Sequence, residues 1–394
     1  MQLGLWTDDS MTGAVASDNI TPVTFVNWDG STSPEDLADA AYTSLAAKTV
    51  GKRWLFFRHF ADGERTGHVQ IGANSVEDYF IHRRGEFDKM RSELVRFWVR
   101  LKANGSVRAD RITIDEEDGV GIESPGGFTE ATWTLRAEKI AKVNNHATLA
   151  RFSPSQLRSY TQSQIAAFST WDSDLGRALM WWAHNNTQIF LDTMGDAITG
   201  TYATVMGEAC PPTSNYGDEI LDRTRYGLQN EPYHKGERSI AGVSAPFLYL
   251  NRFSSLPPVF TGQTSEHRWL MFLYNNNWMR MCRRTAALEP WFSFPSWDGL
   301  THVGDMQSSR YMVQSAAAMG VTHGMIWSPP GAYMGVGSVP SLSTQLAYMQ
   351  ETLEDLPAQQ VDDDEVLPLL SYNATTVTIG DWSVTYSAGD WGTT

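Results

Sequence analysis

Four consecutive acidic residues, 115–118, follow a short apolar stretch in the segment ADRITIDEEDG. Side chains alternate between the two faces of a strand, so Ile112 and Ile114 are predicted to share one face and Asp115 and Glu117 the other. If the apolar face packs against helices, the two acids form a D-x-E pair on the opposite face. The spacing therefore favours a pair of carboxylates that act together.

A second predicted strand, TYATVMGE over residues 201–208, adds a third carboxylate. Its alternation places Glu208 on the face away from the helices. If this strand lies beside the first one, Asp115, Glu117 and Glu208 converge on one opening. The alternative for each acid is a hydrated loop or an ion-paired cluster.

Converging carboxylates in a site of low dielectric shift one another's pKa values apart, which leaves a protonated acid beside an ionised carboxylate. Cleavage of a glycosidic bond uses such a pair: one group protonates the departing oxygen, and the other attacks the sugar, activates water or orients the substrate. We therefore predict a catalytic role for Asp115, Glu117 and Glu208. Glu208 or Glu117 is the expected acid/base, and Asp115 is the expected nucleophile or orienting carboxylate.

Aromatic and polar residues follow other predicted strands where such a site would open. The chain has 15 Trp and 14 Tyr, and flat rings with one polar end suit contact with sugars. For each residue the alternative is a place in the core or a capping role. The predicted substrate-binding residues are Trp28, Asp29, Arg58, His59, Tyr249, Asn251, Trp297, Asp298 and Trp327.

Signatures of other chemistries are missing from the sequence. The nine His residues show no HxH or HExxH spacing, and Cys210 and Cys282 belong to no CxxC or zinc-ligand pattern. No GxGxxG or GxxxxGK[ST] turn follows a predicted strand, and no GxSxG elbow occurs. We predict no cofactor and no metal, with magnesium or calcium bound by the acids as the alternative.

The net charge and the apolar pattern of the sequence bear on the partners and the location of the protein. A net charge of −15 argues against nucleic acid and against an anionic membrane as partners. The sequence shows no classical signal peptide and no run of 18 apolar residues. The expected partner is a carbohydrate. The compartment stays open, with secretion or a place in a virus particle as possibilities, and so does the oligomeric state.

Strand patterns alternate with helical patterns over most of the chain, which is typical of βα units around a parallel sheet. Ser33 and Pro34 form a predicted helix start. Strands are predicted over 23–28, 53–60, 111–117, 201–208, 245–251, 289–297 and 322–328, with an eighth over 3–6. Further helices are predicted over 86–104, 153–199, 264–287, 304–319 and 341–356.

This pattern predicts an α/β fold, a (β/α)8 TIM barrel formed by residues 1–357, in which the site lies at the carboxyl ends of the strands. An open, doubly wound sheet is the competing topology. Residues 358–394 are predicted to form an acidic linker and a small C-terminal β-hairpin that turns at Gly380 and Asp381. We expect this hairpin to be a packing element, because an isolated pair of strands is only marginally stable.

The segment RITIDEEDG resembles the fourth-strand region in which TIM-barrel glycoside hydrolases place a catalytic Asp or Glu, and its D-x-E spacing is similar to the end of the chitinase-type motif. EPWFSFPSW and GVTHGMIWSPP resemble the region of the sixth to eighth strands, including a Trp that lines the sugar site. The resemblance covers roughly residues 20–356. It implies a glycosidase that acts on a polysaccharide or glycan.

Two departures from the family patterns stand beside this resemblance. The chitinase-type motif has a run of aspartates that Arg111 and Thr113 interrupt, and the clan with two catalytic Glu residues has Asn where Gly207 precedes Glu208. The alternative function is a non-catalytic carbohydrate-binding or structural barrel protein of a virus particle or cell surface.

Overall fold

The protein was analysed as a computed structural model. The structure describes residues 1–6, 17–28, 32–58, 84–115, 195–217, 243–248, 266, 269–270, 272–273, 275–276, 279, 287–293, 303–327, 342–360, 370–388 and 391. In these ranges, strands that pair in parallel are interspersed with helices. The mixed α/β class predicted from the sequence is confirmed.

Ten strands in the described ranges form one sheet, and each pairing between them is parallel. The strands are β1 (Gln2–Trp6), β2 (Ile20–Pro22), β3 (Thr24–Asn27), β4 (Trp54–Arg58), β5 (Arg111–Asp115), β6 (Thr213–Gly217), β7 (Val243–Leu248), β8 (Ala287–Leu288), β9 (Trp291–Ser293) and β10 (His323–Trp327). Their order in the sheet is β2-β1-β10-β9-β7-β6-β5-β4-β3, and β8 pairs with β7.

Four helices begin and end close to their predicted bounds. Most of the helix predicted over 153–199 lies outside the described residues, and its described part, 195–199, is helical. Of the helix predicted over 264–287, the described residues between 266 and 279 are helical, whereas residue 287 belongs to a strand. The backbone N–H of Asp36 donates to the Ser33 hydroxyl at 3.1 Å, which confirms the predicted N-cap. Within the described ranges, no helix is long and apolar enough to cross a membrane. Helices in the described ranges include α1 (Pro34–Ala47), α2 (Arg84–Asn104), α3 (Val303–Ala318) and α4 (Leu342–Glu354). Residues 195–206 and the described residues between 266 and 279 are also helical.

One face of the sheet, here called the helix face, packs against helices. Beneath α1 and α2, the residues Leu55, Phe57, Ile112 and Ile114 are fully buried in one apolar cluster. The predicted orientation of Ile112 and Ile114 toward helices is therefore confirmed. A second cluster joins β1 and β10 to α3 and α4; it includes Leu3, Leu5, Ile326, Val313 and Met349.

The other face, here called the opposite face, brings together strands that are far apart in the strand order. The indole Nε1 of Trp54 on β4 donates to the Thr113 hydroxyl at 2.8 Å. A Cβ on Gly4 of β1 would lie 2.9 Å from the Trp54 ring and 2.7 Å from Met325 Sδ. Because β1 and β4 are not paired in the sheet, these contacts require strong curvature toward the opposite face.

The two ends of the strand order, β2 and β3, are separated along the chain by Val23 alone. The Val23 N–H donates to the carbonyl of Leu5 on β1 at 3.0 Å. One continuous stretch of chain, residues 20–27, thus contacts β1 at its start and β4 at its end.

The predicted strand over residues 201–208 is wrong, because residues 201–206 are helical and Gly207 follows with a φ of 78°. Ile198, Tyr202 and Met206 recur every four residues and are buried against α2, so the apolar period is that of a helix. The place beside β5 is taken by β6, which the sequence did not predict.

The C-terminal residues form an antiparallel sheet of β11 (Leu370–Tyr372), β12 (Thr376–Ile379) and β13 (Trp382–Thr385). The turn between β12 and β13 lies at Gly380, with a φ of 56°, as predicted. Val377, Ile379 and Val384 belong to the apolar cluster that contains Leu3 of β1. This extension packs against α3, and it has one strand more than the predicted hairpin.

Candidate functional site

The carboxyl ends of β3, β4 and β5 bring three polar residues into register. Asn27 is the Cα partner of Arg58, and Arg58 is the Cα partner of Asp115. Neighbouring strands lie about 4.8 Å apart, so the three backbone positions are adjacent. Two of the residues that the sequence predicts for the site, Arg58 and Asp115, therefore occupy adjacent positions at one edge of the sheet.

The face of this row follows from the residues that precede it. Val26, Phe57 and Ile114 are buried in the helix-face cluster. Because side chains alternate along a strand, the next position on each strand belongs to the opposite face. The placement of the Asp115 side chain on the face away from the helices rests on this same alternation and stays a prediction.

Asn27 belongs to this row but is not among the residues predicted for the site. Its side chain is partly buried, and its Oδ1 is enclosed without a hydrogen-bond partner in the part of the chain that the structure describes. The signal was available, since Asn27 lies between Val26 and Trp28, two apolar residues that a period of two assigns to the other face.

A second register row joins aromatic residues at the same edge of the sheet. Trp6 on β1 is the Cα partner of Trp327 on β10, and Trp327 is the partner of Ser293 on β9. Leu5 and Ile326 are buried in the cluster on the helix face, so positions 6 and 327 belong to the opposite face. The predicted site residue Trp327 thus has an unpredicted neighbour, Trp6.

The predicted substrate contact by Trp28 is wrong. Only 1% of this residue is exposed, and its ring lies 6.0 Å from the Phe57 ring and 5.6 Å from the Phe97 ring. Its Nε1 donates to Glu93 Oε2 of α2 at 3.4 Å. Trp28 therefore belongs to the core between sheet and helices. It follows β3 directly and lies two positions after Val26, so it faces the same side as Val26.

Glu208 does not share the opening that the sequence predicts. It precedes β6, at the amino end of the sheet, whereas Asp115 lies at the carboxyl end of β5. Its side chain is 52% exposed and accepts from Arg108 Nε at 3.2 Å. Tyr202 also donates to Glu208 at 3.0 Å, and burial together with this bond raises the pKa of Tyr202. The prediction that Glu208 converges with Asp115 is wrong.

A buried polar network that was not predicted from the sequence lies below the carboxyl-end row. Glu289, which is fully buried, accepts from Arg111 Nε at 2.7 Å and from the Ser214 hydroxyl at 2.6 Å. The Thr113 hydroxyl donates to the same carboxylate at 3.1 Å and accepts from Trp54. Because the two charges compensate each other and the carboxylate is fully hydrogen-bonded, this network holds β5, β6 and the start of β9 together.

His323 lies beside this network at the amino end of β10. Burial, together with the positive charges of Arg111, Lys52 and the amino terminus, lowers the pKa of His323 to about 4. Its Nδ1 is 2.8 Å from the hydroxyl of Thr322. The imidazole is therefore neutral at pH 7.

The remaining predicted site residues lie outside the described residues. They are Glu117, Asp29, His59, Tyr249, Asn251, Trp297 and Asp298. Among the residues whose placement is described, no group of three His, Cys, Asp or Glu side chains could hold a metal ion.

Together, the fold and this edge define a parallel α/β protein with polar and aromatic residues at the carboxyl ends of its strands. No protein-family model and no curated protein matches the sequence. The solved structures that are similar to the chain include three with 11–12% identity over 84% of its length. They are PfGH50B (TM-score 0.39), an exo-β-agarase (0.41) and the agarase AgWH50C (0.36).

The chain spans less than half the length of these proteins, covering 46%, 44% and 46% of them respectively. TM-scores of 0.36–0.41 are too low to assign the chain to the family of these structures.

Proposed function

We propose that this protein is a glycoside hydrolase that cleaves a polysaccharide or glycan at the carboxyl edge of its parallel sheet. The observation that carries this proposal is the register of Arg58 and Asp115 on the opposite face. A cation beside a carboxylate at the open end of parallel strands is a suitable arrangement for acid and base chemistry on a neutral, hydroxylated substrate.

The proposed fold is a (β/α)8 barrel closed by residues 20–27. If β2 and β3 are counted as one strand and β8 is left aside, the strand order becomes a ring of eight. The contact between Val23 and Leu5 and the approach of Gly4 to Trp54 support closure. In such a barrel the active site lies at the carboxyl ends of the strands, which is the edge that carries Asp115.

In the proposed reaction, Asp115 acts as the nucleophile or as the carboxylate that orients the substrate. Glu117, two positions further, acts as the acid/base that protonates the departing oxygen. Arg58 stabilises the charged form of Asp115, because an adjacent cation favours an ionised carboxylate. The two acids thereby take different protonation states, which is what cleavage of a glycosidic bond requires.

Substrate binding is proposed to involve the other residues at the ends of the strands. Trp327, with its register partner Trp6, supplies aromatic rings that pack on the apolar face of a sugar. Further contacts are proposed for Asp29, His59, Tyr249, Asn251, Trp297 and Asp298. No cofactor enters the proposed reaction.

The test is the release of reducing ends from a panel of polysaccharides. The panel includes agarose, because two of the similar structures named above are agarases, together with alginate, xylan, cellulose, chitin and peptidoglycan. We expect Asp115→Asn and Glu117→Gln to lower the turnover of the cleaved polymer by a factor on the order of 10³ or more.

Glu208→Gln is the matched control, because Glu208 lies at the other end of the sheet and should leave cleavage unchanged. Full activity of both Asp115→Asn and Glu117→Gln would remove the catalytic assignment. A protein that binds polymers of the panel but cleaves none would instead be a carbohydrate-binding protein.

A further inference from the structure

Asn27 combines three properties that set it apart from its neighbours on β3. It lies at the carboxyl end of the strand, in register with Arg58. Its flanking residues Val26 and Trp28 are each 1% exposed in the helix-face core. Strand alternation therefore assigns Asn27 to the opposite face, the one that carries the proposed site.

The side-chain carbonyl of Asn27 lacks the hydrogen-bond partner that buried polar groups normally have. Its Oδ1 is enclosed, yet no donor in the described ranges reaches it. A buried acceptor without a partner is unfavourable, and such groups in folded proteins call for an explanation. The polar neighbours on the strand differ from it, since Thr24 is hydrogen-bonded to Ser44 at 2.9 Å.

The position of this acceptor supplies the explanation. Asn27, Arg58 and Asp115 occupy one row at the carboxyl ends of three adjacent strands. A ligand bound over this row would place hydroxyl groups near the amide of Asn27. A hydroxyl donor from the ligand would satisfy Oδ1, and the amide N–H groups could donate to a second hydroxyl or ring oxygen.

We propose that Asn27 is a substrate-binding residue, whose side-chain amide hydrogen-bonds a sugar hydroxyl in the site that contains Asp115. This inference rests on the proposed function. It assigns to Asn27 a role in specificity, because a site built to hydrogen-bond a hydroxyl discriminates strongly against a substrate that lacks it.

The first arm of the test measures the ligand-free protein. Asn27→Leu keeps the approximate shape of the side chain and removes the unpaired acceptor, so the unfolding midpoint should stay equal or rise. Thr24→Val on the same strand is the matched control, and it should lower the midpoint because it breaks the bond to Ser44. If Asn27→Leu lowers the midpoint as much as Thr24→Val does, Asn27 has a structural role and the proposal is overturned.

The second arm measures binding to the polysaccharide that the wild-type protein cleaves. Asn27→Leu should weaken binding roughly tenfold to a hundredfold, whereas Thr24→Val should bind like wild type. Unchanged binding by Asn27→Leu, with wild-type cleavage intact, overturns this inference alone. If the wild-type protein neither binds nor cleaves any polymer of the panel, the proposed function and this inference both fail.

Discussion

Arg58 and Asp115 are Cα partners at the carboxyl ends of β4 and β5. They are 57 positions apart in the sequence, so only strand pairing makes them neighbours. If the two residues act as a unit in the proposed site, the effects of their substitutions on kcat/KM should not be additive.

We expect Arg58→Ala to lower kcat/KM strongly in the wild-type background and to have little further effect in Asp115→Asn. Neighbouring residues that act together typically show a coupling energy of about 0.5–3 kcal/mol. The measurement is a cycle of four proteins on the cleaved polysaccharide. Arg96→Ala is the control, because Arg96 is paired with Glu35 on the exposed surface and should be additive with Asp115→Asn. Additive effects of Arg58→Ala would show that the two residues act separately.

Trp28 provides a prediction that separates packing from substrate binding. Trp28→Phe should lower the free energy of unfolding, because a smaller ring leaves space beside Phe57 and Phe97. Activity per folded molecule should remain unchanged, since the indole is buried in the helix-face core. Urea unfolding and kcat/KM measured on the same preparations test both statements. A selective rise in KM at unchanged stability would contradict this assignment.

Breaking the buried ion pair of Arg111 and Glu289 should lower the free energy of unfolding strongly. Glu289→Gln leaves the Arg111 guanidinium buried without a compensating charge, and we expect a loss of about 3–5 kcal/mol in unfolding free energy. Glu208→Gln is the matched control, because Glu208 pairs with Arg108 at the surface and should cost less than about 1 kcal/mol. Urea denaturation measures both. Equal losses for the two variants would show that Glu289 does not hold the sheet together.

His323 predicts part of the pH dependence of stability. Its pKa is about 4 in the folded protein and 6.5 as a reference for the unfolded chain. As the pH falls from 6.5 toward 4, the unfolded chain takes up a proton that the folded protein does not, so stability is lost in this window. His323→Asn retains an acceptor for Thr322 and removes the titration. The unfolding midpoint of this variant should therefore vary less with pH between 4 and 6.5; an unchanged slope would show that other groups cause the dependence.

Local sequence signals predicted several elements correctly. The Ser33–Pro34 start of α1 and the apolar spacing of α2 specify helices by short-range rules, and each is found near its predicted bounds. The alternation in RITID likewise placed Ile112 and Ile114 on the helix face. Such signals are readable because capping and periodicity involve residues only a few positions apart.

The helix at residues 195–206 shows where local signals are ambiguous. Its segment TYATVM also has apolar residues at alternate positions, and the contact of Tyr202 and Met206 with α2 selects the helical period. At β3 the sequence likewise left open which residues face the helices. Both Trp28 and Asn27 were compatible with a site, and only packing against α1 and α2 decided which of them faces away from the helices.

By itself, the sequence determined the α/β class, most of the helices and strands found in the described ranges, and the placement of Asp115 at the end of a strand. The tertiary structure decided which distant residues meet: Arg58 with Asp115, Trp6 with Trp327, and Arg111 with Glu289, which are 178 residues apart. The physical reason is that periodicity and caps act over one or two turns of chain. Strand order and register depend instead on long-range pairing, for which no single segment carries the information.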